Sequence, residues 1–254
     1  MRTEAKQKYE IDSVKNINIG IIGARGTGKS SLINSILGRK VANVDVVETQ
    51  KEPQAYMLDT IDATINSGTN TINSENEDDF NFAIVDLPGY NTIKQEGDVE
   101  PYFVRNYLFL LDILVIVINE ALTKRCTDII NEALTYDKYK NRIIIVRSKI
   151  DESSANMRII EYTNNKLEIS LDTAVNKVAE KTCNDVREKL HSAKIEYNIP
   201  VFVISAPRLH ELLHPGYLNE MKSFLRGGIE SIPKAEEENL IEKVLEEIST
   251  SRYV

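Results

Sequence analysis

Residues 17–37 read INIGIIGARGTGKSSLINSIL, and this stretch decides the fold. It opens with the apolar run Ile17 to Ile22, whose length and β-branched content are typical of a buried strand. Gly23 to Ser30 then follow the spacing GxxxxGKS, and residues 31–37 have the composition of a helix. Strand, glycine loop and helix in this order predict a loop whose backbone N–H groups surround phosphate oxygens. The positive end of the following helix favours the same anion.

The side chains of this loop predict a nucleotide with a divalent cation. Lys29 is expected to place its ammonium group between the β and γ phosphates, and the Ser30 hydroxyl is expected to bind Mg²⁺. The candidate nucleotide-binding residues of this segment are Gly23, Arg25, Gly26, Thr27, Gly28, Lys29, Ser30 and Ser31.

Further short apolar runs predict the rest of a sheet. They are Phe82 to Val85, Ile113 to Ile118, Ile143 to Val146 and Val201 to Ile204. Each is nearly continuous in Val, Ile, Leu or Phe, as expected of strands buried on both faces. Because helical patterns separate these runs, we predict a three-layer α/β/α fold with a mostly parallel, six-stranded sheet and helices on both faces.

Composition limits the partners and the location. The chain has 254 residues, 42% of them apolar, with a formal net charge of −8. An acidic chain without a block of Lys and Arg is not expected to bind nucleic acid. The most apolar stretch, Tyr107 to Ile118, contains Asp112 and is too short to cross a bilayer. The two cysteines of the chain fit no metal-ligand spacing, so we expect free thiols and a cytoplasmic protein.

The chain is expected to contain three segments. Residues 1–15 are a polar extension, residues 16–232 form the nucleotide-binding domain, and residues 233–254 contain an amphipathic helix. The apolar stripe of residues 234–250 either packs on the parent domain or serves a partner or a further helical domain. A second stripe, from Leu171 to Tyr197, predicts one long helix within residues 167–198.

Asp86-Leu87-Pro88-Gly89 directly follows one of the predicted strands. A carboxylate at this end of a parallel strand faces the ligand crevice of an open α/β sheet. Asp86 is therefore the candidate for holding Mg²⁺, while the Gly89 N–H is a candidate sensor of the γ phosphate.

Ser148-Lys149-Ile150-Asp151 follows another predicted strand and indicates guanine recognition. The Asp151 carboxylate can accept both the N1–H and the exocyclic amine of guanine, and the aliphatic stem of Lys149 can cover the base plane. Ser148 is expected to contribute its hydroxyl to the same nucleotide-binding site. After the last strand, Ser205-Ala206 is expected to offer the Ala206 N–H to the guanine 6-oxygen.

These motifs, in this order, resemble the GTPase superfamily. GKSSLIN at 28–34, DLPG at 86–89 and VRSKID at 146–151 are similar to motifs of the immunity-related GTPases, an interferon-inducible, dynamin-like family. The resemblance covers residues 15–232. It implies GTP and GDP as ligands, nucleotide-dependent dimers or oligomers, and peripheral association with intracellular membranes. Ser148 stands where that family has Thr, and only residues 234–250 correspond to its helical domain. The run NSILGRK at 34–40 also resembles the immune-associated GTPases, a second candidate family.

Hydrolysis requires a group that orients water or stabilises the transition state. Tyr90 occupies the position that often holds a Gln in small GTPases, so the uncomplexed protein is expected to hydrolyse slowly. Arg25 is the candidate for reaching the γ phosphate, in its own site or in that of a second copy. Thr49 is the candidate for binding Mg²⁺ and the γ phosphate through the loop after the first helix, with Thr60 and Thr64 as alternatives. Lys29, Arg25 and Thr49 form the candidate catalytic set.

Three functions are compatible with the sequence. The first is an active GTPase whose cycle is coupled to dimerisation or oligomerisation. The second is a nucleotide-binding scaffold with negligible hydrolysis, which the absence of a Gln at Tyr90 favours. The third is an ATP-using P-loop enzyme, against which Asp151 argues.

Overall fold

The predicted apolar runs form neighbouring strands of one sheet. The computed structural model describes residues 16–42, 53–58, 81–89, 107–216 and 235–251. The strands are β1 (Asn16–Gly23), β2 (Gln54–Leu58), β3 (Asn81–Asp86), β4 (Ile113–Ile118), β5 (Ile143–Arg147) and β6 (Val201–Val203). Every residue of β1, β4 and β5 is buried, which explains their continuous apolar sequences.

The sheet has the strand order β2-β3-β1-β4-β5-β6. All neighbouring pairs are parallel except β2 with β3, which are antiparallel. The pairing register places Asp86 beside Ile21, Gly23 beside Val117, and Arg147 beside both Ile118 and Val203. The carboxyl ends of the parallel strands therefore lie along one edge of the sheet. All four sequence motifs begin at this edge.

Helices cover both faces of the sheet, which confirms the predicted three-layer fold. They are α1 (Lys29–Leu37), α2 (Lys124–Leu134), α3 (Ile150–Asn165), α4 (Leu171–Ser192), α5 (Ala206–Leu213) and α6 (Glu237–Ser251). Alternating strand residues divide between two cores: Ile21 packs with α1, α5 and α6, whereas Ile22 packs with α2 and α4. None of the helices in the described ranges is both long and apolar enough to cross a membrane.

The C-terminal helix α6 packs on the parent sheet. Leu240 and Ile241 are buried in the same core as Ile19 and Ile21 of β1. The apolar stripe that predicted this helix is thus used at least partly within the chain. The helix begins at Glu237, three residues later than the predicted start at residue 234.

The single helix predicted within residues 167–198 is shorter than expected. Ser170 caps α4 by accepting a hydrogen bond from the Thr173 N–H, and the helix ends at Ser192. Lys194 adopts a positive φ of 58°, which stops the helical course. Tyr197, which the stripe placed on the buried face, lies beyond this end and is 39% exposed.

Candidate functional site

The loop between β1 and α1 has the backbone shape of a phosphate cradle. Gly26 and Gly28 adopt positive φ angles of 78° and 87°, which side-chain-bearing residues rarely occupy. Thr27 closes the turn by donating through its hydroxyl to the Ala24 carbonyl at 2.8 Å. Helix α1 starts at Lys29, so its N-terminal N–H groups face the same space as the loop.

Lys29 of this loop and Asp86 at the end of β3 form an ion pair. Asp86 is only 2% exposed, and burial raises the pKa of its carboxyl, an effect that the nearby Lys29 ammonium opposes. The Leu87 N–H donates to the Ile21 carbonyl at 3.0 Å, which holds the end of β3 against β1. The two charged groups predicted to serve phosphate and metal therefore lie in contact.

The oxygen donors at this position suit Mg²⁺. Asp86 supplies a carboxylate and Ser30 a hydroxyl, both of the hard oxygen type that Mg²⁺ prefers. Across the described ranges, no cluster of three or more His, Cys, Asp or Glu residues is arranged to hold a metal. Such a cluster is not required, because Mg²⁺ at nucleotide sites is usually held by one or two side chains together with phosphate oxygens and water.

The predicted base-recognition loop lies against the phosphate loop. The Ser148 hydroxyl donates to the Thr27 carbonyl, and the Ser148 N–H donates to the Ile118 carbonyl at 2.9 Å. A Cβ added to Gly28 would lie 2.7 Å from Ser148 Oγ and 3.9 Å from Lys149 Cγ. Glycine is thus needed at position 28 both for its φ angle and for the close approach of the second loop.

Lys149 and Asp151 are presented by the start of α3. Lys149 has a positive φ of 61° and precedes the first helical residue, and Asp151 lies in the first turn. Burial raises the pKa of the Asp151 carboxyl. The Lys149 ammonium reaches the Glu152 carboxylate at 3.4 Å, while its stem passes the phosphate loop at Gly28. That Lys149 covers a base plane stays a prediction.

The Ser205-Ala206 loop is attached to the helix that leaves the phosphate loop. The Ser35 hydroxyl of α1 lies 2.8 Å from both the Ala206 carbonyl and the Ser31 carbonyl of its own helix, so the two carbonyls share its one proton. Ser205 is fully buried at the end of β6. No motif points to Ser35, although a polar residue next to buried Leu32 and Ile33 on α1 indicates a tertiary hydrogen bond.

The other candidate residues lie on the phosphate loop, after β3, in α1 or outside the described residues. Arg25 is exposed on the phosphate loop, and Gly89 is buried shortly after β3. Ser31 lies in the first turn of α1. Thr49, its alternatives Thr60 and Thr64, and Tyr90 lie outside the described residues. The structure therefore brings together the phosphate loop, Asp86 and Ser148 to Lys149 by direct contacts.

Comparison with known proteins agrees with this geometry. Residues 18–149, just over half of the chain, match the family described as 50S ribosome-binding GTPase. An uncharacterized protein of Acanthamoeba polyphaga mimivirus is 28% identical over 180 residues, which covers 53% of this chain and 29% of that protein.

Two solved structures are similar to this chain at low identity. A variant of Era from Aquifex aeolicus, bound to GDP and AlF4⁻, has a TM-score of 0.50 at 15% identity, covering 91% of this chain and 56% of that one. Toc33 from Arabidopsis thaliana, in complex with Mg²⁺ and GMPPNP, has a TM-score of 0.43 at 17% identity, covering 80% and 75% of the two chains. This chain spans less than two thirds of both the mimivirus protein and Era.

Proposed function

We propose that this chain, which belongs to the P-loop GTPase family described as 50S ribosome-binding GTPase, hydrolyses GTP. The site is formed by its phosphate loop, Asp86 and the loop from Ser148 to Asp151. A guanine nucleotide and Mg²⁺ are its cofactors, as predicted from the sequence. The contact between Thr27 and Ser148 is the main support for the site, because it places the phosphate-binding and base-recognition loops side by side.

Each residue of the site has a proposed role. The N–H groups of residues 23–31 bind the α and β phosphates, and Lys29 binds the β and γ phosphates. Asp86 and Ser30 hold Mg²⁺, which neutralises phosphate charge. Asp151 accepts hydrogen bonds from the guanine edge, and Lys149 covers its plane. Because Lys29 and Asp86 lie in contact, both side chains can reach one nucleotide and its metal ion.

Hydrolysis coupled to self-association is the finer part of the proposal. It is supported by Arg25, an exposed guanidinium on the rim of the phosphate loop, and by the resemblance of residues 28–34, 86–89 and 146–151 to immunity-related GTPases. In this proposal Arg25 stabilises charge on the γ phosphate, within one chain or across a dimer. Thr49 remains a proposed third side-chain ligand of Mg²⁺, beside Ser30 and Asp86. A cytoplasmic location with peripheral binding to internal membranes likewise remains a prediction.

Isothermal titration with GDP and ATP, each with Mg²⁺, tests the binding site. We expect heat of binding with GDP and none with ATP at the same concentrations. The Lys29→Ala variant should bind GDP much more weakly, whereas Lys40→Ala, an exposed lysine beyond α1, should bind it like the wild type. Equal affinity for GDP and ATP would contradict the guanine site and support an ATP-using P-loop enzyme.

Phosphate release at increasing protein concentration tests the reaction. A rate per molecule that rises with concentration supports a dimer-activated GTPase, and a constant nonzero rate supports hydrolysis by the monomer. No release at any concentration, with GTP still bound, would support the alternative of a nucleotide-binding scaffold, which the Tyr90 position favours.

A further inference from the structure

A buried carboxylate at the start of α6 is attached to the loop after β6. Glu237 accepts a hydrogen bond from the Ser205 N–H at Oε1 and another from the Ala235 N–H at Oε2, both at 2.8 Å. The side chain is only 5% exposed. A carboxylate is costly to bury unless it is hydrogen-bonded, so both N–H groups contribute to keeping it in this position.

The peptide between Ser205 and Ala206 is fixed by contacts on every side. The Ser205 N–H precedes it and is bound to Glu237, and the Ala206 carbonyl follows it and is bound to Ser35. The carbonyl of the peptide itself accepts from the Leu209 N–H at 3.0 Å, within α5. Because the N–H of a trans peptide points away from its carbonyl, the Ala206 N–H points out of the N-terminal end of α5.

We infer that Glu237 is a positioning residue for base recognition: it orients the Ser205–Ala206 peptide so that the Ala206 N–H donates to the 6-oxygen of guanine. This inference rests on the proposed GTPase site. It also gives α6 a function beyond covering the core, since the helix carries one of the two side chains that hold the base-reading peptide. Ser35 is the other.

Removing the carboxylate should loosen the Ser205 side of the peptide without detaching the helix. Glu236 makes a separate pair of contacts with β6, accepting from the Val203 N–H at 2.7 Å and donating its own N–H to the Val203 carbonyl at 3.0 Å. Leu240 and Ile241 stay buried in the core. The Glu237→Ala variant therefore keeps these anchors of α6 and loses the hydrogen bonds from the Ser205 and Ala235 N–H groups.

The test compares GDP with 6-thio-GDP, in which a weak sulfur acceptor replaces the 6-oxygen. Affinities of the wild type, Glu237→Ala and Glu237→Gln are measured by titration with Mg²⁺, and Glu238→Gln, an exposed neighbour on the same helix, is the matched control. We expect the wild type and the control to prefer GDP. In Glu237→Ala the affinity for GDP should fall about tenfold, the effect of one lost hydrogen bond, with a smaller change for 6-thio-GDP.

The ratio of the two affinities distinguishes positioning from stability. A purely structural role of Glu237 would weaken both nucleotides equally and leave the ratio unchanged, which would overturn the inference. The ratio of GDP to IDP affinity, which reports on the exocyclic amine and Asp151, should stay at its wild-type value. If Glu237→Ala does not fold, Ser35→Ala must show the same loss of 6-oxygen preference. Failure of the wild type to bind GDP at all would instead contradict the proposed function.

Discussion

The Ser148 hydroxyl donates a hydrogen bond to the main-chain carbonyl of Thr27. This contact joins two loops that are about 120 residues apart in sequence. The loop predicted to bind phosphates and the loop predicted to bind the base therefore share one wall of the crevice. A single nucleotide can span them only if this wall keeps its shape.

The close approach at Gly28 predicts a specific sensitivity to a methyl group. Gly28→Ala should raise the Kd for GDP by about a hundredfold, because the added Cβ would lie 2.7 Å from Ser148 Oγ in a backbone conformation with positive φ. Overpacking of this kind typically costs about 1–3 kcal/mol, and 1.4 kcal/mol corresponds to about tenfold in affinity. Isothermal titration measures the change.

Gly26→Ala is the matched control for this prediction. Gly26 also has a positive φ, but a Cβ there would meet no atom within 4 Å. We therefore expect a smaller loss of affinity, from backbone strain alone. Equal losses in the two variants would mean that the contact with Ser148 does not matter.

Asp151 predicts the base preference. Asp151→Asn should lower the affinity for GDP and raise that for XDP, because the amide offers a donor to the 2-oxo group of xanthine, where guanine has an amine. Titration with GDP and XDP measures the ratio. Glu152→Gln, an exposed neighbour in the same helical turn, should keep the wild-type preference. An unaltered ratio in Asp151→Asn would remove Asp151 from the base site.

Arg25 predicts a loss of turnover without a loss of binding. At saturating GTP, Arg25→Ala should release phosphate at least about 100-fold more slowly, as expected when an arginine that stabilises the transition state is removed. The affinity for GDP should stay within a few fold of the wild-type value. Arg39→Ala, an exposed arginine beyond α1, is the control. Unchanged turnover in Arg25→Ala would exclude this residue from catalysis.

Asp112 predicts a dependence of stability on pH. Its carboxylate accepts from the Asn18 N–H at 2.8 Å, yet burial raises the pKa of Asp112, an effect that this hydrogen bond and the charges of Lys138 and Arg142 oppose. Above about pH 4 the unfolded chain loses this proton while the folded chain still holds it. The contribution of Asp112 to the free energy of unfolding therefore falls as pH rises through the folded pKa.

Urea unfolding of the wild type and Asp112→Asn between pH 4 and 7 measures this effect. The stability of the wild type relative to the variant should decline with rising pH. Asp137→Asn should give the opposite sign at the acid end of this range, near pH 4, because the exposed Lys140 ammonium lowers the pKa of Asp137. A relative stability that rises with pH for Asp112 would contradict the raised pKa.

The fold was predictable because its strands are buried on both faces. The runs around Ile19, Ile84, Ile116 and Ile145 have almost no polar residues, and their alternation with helical segments indicates a mostly parallel sheet covered by helices. The antiparallel strand β2 was not located in advance. Its residues are only half-buried at the edge of the sheet, so they lack a continuous apolar signal.

The site was predictable where one short segment carries several constrained residues. The phosphate loop is of this kind, since its glycines and Lys29 are adjacent in sequence. Glu237 was not found, although helical spacing places it on the same face as Leu240 and Ile241. A carboxylate on an apolar face signals a buried partner, but the sequence does not show that this partner is the main chain at Ser205.

The packing of α6 on β1 has a consequence for how the chain acquires its structure. Leu240 and Ile241 complete the same core that Ile19 and Ile21 begin, although these pairs are nearly a whole chain length apart. During synthesis, that face of the sheet stays uncovered until the residues of α6 have been made and can pack on it. Contacts this remote in sequence form late and leave apolar surface open to aggregation in the meantime.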